Sequence, residues 1–113
     1  MATDMTASQK NITSATLQKS VISSKPCLFS GLIATNQNAS TRWLQVFDGY
    51  ALPSGGDVPI LELQVAGHFQ GSIDLGVFNY IQTSIGLVVA ASSSSGTYTD
   101  SGAADFFCSI IWN

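Results

Sequence analysis

From Pro26 to Asn113 the apolar residues recur in short runs of period two separated by turn clusters, and no stretch keeps a three-to-four residue apolar repeat over helical length. The pattern predicts six strands, at 26–34, 41–48, 58–65, 67–75, 81–91 and 105–112. In the second, Trp43, Gln45 and Phe47 alternate with Arg42, Leu44, Val46 and Asp48, so both faces of that strand need cover. In the fourth, Phe69, Gly71, Ile73 and Leu75 face one way and His68, Gln70, Ser72 and Asp74 the other, which gives it a wet side. Pro59 removes a donor at the start of the third, as an edge strand or a strand entrance tolerates. The segment 92–102, SSSSGTYTDSG, has the composition of a mobile loop.

Short strands at regular spacing predict an all-β fold, a two-layer antiparallel β-sandwich of jelly-roll type spanning residues 26–113. Residues 1–25 differ in kind. They are polar, rich in Ser and Thr, and free of aromatics, and they read as an extended N-terminal arm. Within the arm, the stretch 15–23 (ATLQKSVIS) is able to add one more strand, with Leu17, Val21 and Ile22 as apolar anchors.

Charge sharpens this division. Only 10% of the residues are charged, against the larger share that normally covers a chain of this size, so much of the surface is expected to lie against partners. The arm carries Lys10, Lys19 and Lys25 against Asp4, whereas the body carries Arg42 against six carboxylates. A basic tether on an acidic body suits an acidic neighbour. A net charge of −3 with a single arginine excludes a row of phosphate contacts, so nucleic acid is not expected as a partner. No apolar run approaches the roughly 20 residues of a spanning helix, and residues 1–24 lack the apolar core of a secretory signal.

Catalytic chemistry finds little to stand on. The one histidine, His68, has no acid motif beside it and reads as a surface residue. Two cysteines and one histidine spread over 27–108 lack the close pairs of a zinc site, and the aspartates at strand ends read as turn caps. No phosphate-cradling glycine motif precedes a helix. No enzyme activity, cofactor or metal is therefore assigned. Cys27 and Cys108 fall in the first and last strands of the body and read as two buried thiols, with a staple closing the domain as the alternative.

Several motifs occur together in order: Arg42-Trp43-Leu44-Gln45-Val46-Phe47-Asp48, Gly56-Asp57-Val58-Pro59-Ile60, the Phe69 strand, Thr83 through Ser92 (TSIGLVVAAS), and Asp105-Phe106-Phe107. This succession, about two thirds of the chain, resembles small structural proteins of tailed bacteriophage virions. The resemblance implies a capsid cement or decoration protein, or the base of a head fibre, bound to the major capsid protein on the capsid exterior after assembly in the host cytoplasm. It implies that Leu44, Val46 and Phe47 pack the sandwich and that Gly56, Pro59 and Gly86 set turns and strand entrances.

The expected partner contacts follow from the arm and the aromatics. Lys10, Lys19 and Lys25 meet acidic surface, while Leu17, Val21 and Ile22 enter apolar grooves. Trp43 and Tyr50, with Phe78, Tyr80, Tyr98 and Trp112, exceed what a small core needs and are expected at subunit contacts, in a homotrimer. The competing reading is a head-fibre or tail-associated module for host or glycan binding, in which Trp43, Tyr50 or Tyr98 stacks on sugar rings.

Overall fold

A computed structural model describes residues 11–75 and 80–113, all strand, turn and loop. The strands are β1 (Asn11–Leu17), β2 (Lys19–Ser23), β3 (Leu28–Asn36), β4 (Arg42–Phe47), β5 (Leu61–Val65), β6 (Gln70–Asp74), β7 (Ile81–Gln82), β8 (Leu87–Ser92) and β9 (Phe106–Trp112). One sheet runs β1-β9-β3-β6 with β7 alongside β3, and the other runs β2-β8-β4-β5.

The pairing is that of a long hairpin rolled on itself. β1 pairs β9, β2 pairs β8, β3 pairs β6 and β4 pairs β5, all antiparallel, and β9 with β3 and β8 with β4 close the two sheets. Nested pairs that alternate between two layers define the jelly roll. Between the layers lie Phe29, Leu32, Leu44, Val46, Leu87, Val89, Phe106 and Ile110, each at most 1% exposed.

Residues 11–23, read as part of an extended N-terminal arm able to add one strand at 15–23, form two strands of the sandwich. β1 is an edge of one sheet and β2 an edge of the other, with the chain changing layers at Gln18. Burial drives this. Leu17 is 5% exposed in the core and Ile22 packs against that core, so detaching the segment would strip apolar surface.

The long strand expected at 81–91 is two strands in different sheets. Thr83 turns the chain inward, donating its hydroxyl to the Cys27 carbonyl, and the backbone amides of Ser84, Ile85 and Gly86 then gather on Asp48. Gly86 permits the crossing. A Cβ there would stand 2.3 Å from the Gly49 carbonyl oxygen and 2.5 Å from that of Ser23.

Both thiols are free and buried, and register separates them. Cys108 lies opposite Ala34, whereas Cys27 precedes the other end of β3, seven residues and about 23 Å away at strand rise. A bond between them is excluded by reach.

Candidate interaction surfaces

The outer face of the β2-β8-β4-β5 sheet is closed by the chain's own loop. Phe47, Val88, Ala90 and Tyr98 form a second small core there, with Tyr98 2% exposed and edge-on to Phe47 at 6.1 Å. Beside it Gln45 on β4 donates to Glu62 on β5 at 2.7 Å, and to the carbonyls of Ser94 and Thr97. Glu62 also accepts from the Ser95 hydroxyl at 2.6 Å and the Gly96 amide at 2.9 Å. Burial pushes the Glu62 carboxyl up, but these donors outweigh it and hold the group below its ordinary value. The serine-rich segment expected to be mobile is thus pinned, because Tyr98 fills an apolar gap and Glu62 gathers the turn above it.

The adjacent end of the sandwich carries an apolar groove of about 390 Å³. Tyr50, Leu52, Val58, Ile60 and Ile85 line it and are 44–72% exposed. Asp48 and Asp57 lie at its margin but serve the backbone. Asp48 is held low chiefly by the Ser84 amide, against an opposing push from burial, with further help from Ile85 and Gly86. Asp57 accepts from the Ser54 amide at 2.9 Å.

A second surface is the outer face of the β1-β9-β3-β6 sheet. Register places Ile12, Ile111, Gly31 and Asp74 in one row, Ser14, Ser109, Ile33 and Ser72 in the next, and Thr16, Phe107, Thr35 and Gln70 in the third. Ile12, Ile33 and Phe107 are 67%, 46% and 46% exposed.

The residues expected at partner contacts separate into different settings. Leu17 and Ile22 serve the protein's own core. Lys19 pairs with Asp100 at 3.3 Å, where the Gln18 amide also binds, and Lys25 is exposed. Val21 is 36% exposed on β2, Trp43 is half-buried, and Tyr50 at 67% exposed stands over the groove. Lys10 and Phe78 lie outside the described residues. Tyr98 and Trp112 pack within the fold, the latter donating to the Thr13 hydroxyl at 3.1 Å, and Tyr80 remains 50% exposed. His68 sits in the turn after β5 at φ 61° rather than in a strand.

Sequence reading missed the apolar residues of the groove. Val58 and Ile60 read as strand positions, yet they lie in the loop before β5. The signal was Pro59 between them, which has no amide to donate, so β5 proper begins only at Leu61. Phe107 and Ile111 carry a signal of their own, since β9 is apolar on both faces.

Among the described residues no group of three His, Cys, Asp or Glu side chains is placed to hold a metal, and no helix is long and apolar enough to cross a membrane. No family model, curated protein or solved structure matches the chain.

Proposed function

We propose that this chain is a structural protein of a virus particle, a cement or decoration protein that binds the major capsid protein on the outside of the shell and stabilises it. The observation that carries this reading is the nested pairing of β1 with β9, β2 with β8, β3 with β6 and β4 with β5, an architecture shared by viral capsid and lectin domains. The exposed apolar groove around Tyr50, Ile60 and Ile85 supports it, because such a patch marks a protein contact more often than a bare surface. The motif resemblance to phage virion proteins points the same way.

Image reconstruction of the intact particle tests the proposal. Density for the chain is expected at repeated positions on the capsid exterior, and purified chain is expected to co-sediment with shells lacking it to a fixed ratio. Val58→Asp with Ile60→Asp, both on the exposed groove, is expected to lower that binding at least tenfold. Density confined to the tail would overturn the cement reading. It would favour a host or glycan-binding module, a reading supported by Tyr50, whose ring is exposed beside the groove. Binding on a glycan array that Tyr50→Ala abolishes would then identify it.

A further inference from the structure

The two sheets have four edges, and three of them carry devices that discourage a further strand. β2 has Lys19 and a register shift between Val21 and Ser23. β5 is five residues long, holds Glu62, and is entered through Pro59. β6 is also five residues long, with Gly71 and Asp74 in it. β1 differs. It has seven residues, NITSATL, without charge or proline, in unbroken register from Asn11 opposite Trp112 to Leu17 opposite Phe106. Among the described residues it pairs only with β9, so its outer edge presents a row of backbone donors and acceptors. Natural proteins blunt such edges unless another chain uses them.

We propose that β1 is the site at which a second copy of this chain adds, β1 against β1 and antiparallel, to make one continuous sheet across a two-fold axis. Charge selects a second copy as the occupant. The body is acidic overall, so two copies must meet where their carboxylates are absent or compensated. Asp48, Asp57 and Glu62 belong to the other sheet and its loops, Asp105 is paired with Arg42, and Asp74 lies on the opposite edge of the same sheet. Asp100, beside the end of β1, is compensated by Lys19.

A two-fold centred on Ser14 pairs every residue of the strand and sets Ile12 opposite the partner's Thr16 on the outer face. No charged side chain of β1 meets its like there. The contact is isologous and closes at two copies. The outer row of Ser14 and Ser109 then runs on into its own repeat and the row of Ile12 and Ile111 into the Thr16 and Phe107 row of the second copy, extending a nearly uncharged face.

Sedimentation equilibrium of the full chain across 1 μM to 1 mM tests this. A reversible dimer is expected, and Ile12→Lys with Thr16→Lys, which sets lysine against lysine across the join, is expected to weaken it at least tenfold. Ile33→Lys, on the same face but two strands inward, is expected to leave the dimer intact. Ser14→Cys supplies an independent reading, since oxidation is expected to trap a covalent dimer while the native thiols stay buried. A monomer throughout, or a dimer or trimer that the β1 lysines do not weaken, overturns the proposal. Should the lysine variant fail to fold, absence of the Ser14→Cys cross-link overturns it instead.

Discussion

Arg42 on β4 donates through Nε to Oδ2 of Asp105, the residue leading into β9 of the opposite sheet, at 3.0 Å. The carboxylate is 5% exposed and the guanidinium 18%, and Asn38 donates to the second carboxylate oxygen at 3.1 Å. Arg42 is the single arginine of the chain, and it clasps the two layers at one end of the sandwich.

Arg42→Ala leaves Asp105 buried with only polar neighbours, at a cost of about 3 kcal/mol, the lower end for breaking a buried pair. Arg42→Lys recovers part of this, because an ammonium cannot reach both Asp105 and the Thr41 carbonyl as the guanidinium does. Urea unfolding followed by the fluorescence of Trp43 and Trp112 measures both.

Asp48, Glu62 and Asp100 set the acid limit of the fold. All three are held below their ordinary values in the folded protein: Asp48 chiefly by the Ser84 amide, Glu62 by its donors against burial, and Asp100 chiefly by the Gly102 amide. A carboxylate depressed in the folded state contributes stability above its unfolded pKa and loses it as pH falls through the folded value. The urea midpoint is therefore expected to hold from pH 7 to about pH 5 and to fall steadily below about pH 4. Asp48→Asn, which weakens the acceptor for three amides, lowers stability at neutral pH by about 1–2 kcal/mol and flattens that decline.

What the sequence made legible is the local pattern. The two-faced apolar content of β4 correctly demanded cover on both sides, with Leu44 and Val46 in the main core and Phe47 under the loop. The alternation of β6 placed Gly71 and Ile73 inward. What it hid is where the chain changes layers. Neither Gly nor Pro marks Gln18, and the break there exists because Leu17 meets Phe106 in one sheet while Lys19 meets Ala90 in the other. The same holds for the loop above Glu62, whose serines read as solvent-loving until Gln45 and Tyr98 are placed beneath them. In the groove Tyr50 was the legible residue, since Val58 and Ile60 read as strand positions and Ile85 joins residues 47–60 only through the fold.

Burial pushes the Cys108 thiol up from its ordinary 9.0 to about 11. Neither cysteine is expected to react with a thiol reagent in the native protein near neutral pH, and both are expected to react in guanidinium. The unfolded chain ionises this thiol first, so stability is present below pH 9 and is lost progressively between pH 9 and about 11. Cys108→Ala removes that part of the alkaline decline.

Gly86→Ala forces a Cβ between the carbonyls of Gly49 and Ser23, both of them backbone and the second at the end of β2. The expected cost is about 3 kcal/mol, the upper end for overpacking. Gly55→Ala, where nothing lies within 4 Å, serves as the control and is expected to leave the melting temperature nearly unchanged.

Leu17 and Val21 lie four positions apart and separate a structural role from a docking role for residues 11–23. Leu17, 5% exposed, packs in the core beside Phe106, whereas Val21, 36% exposed, lies opposite Val88 on β8. Leu17→Ala is expected to cost about 2–4 kcal/mol and Val21→Ala under about 1 kcal/mol. Removing residues 1–24 takes β1 and β2 with it, so the truncated chain is expected to unfold rather than merely release a partner. Circular dichroism of that truncation, with its loss of a cooperative melt, distinguishes strands built into the sandwich from a tether outside it.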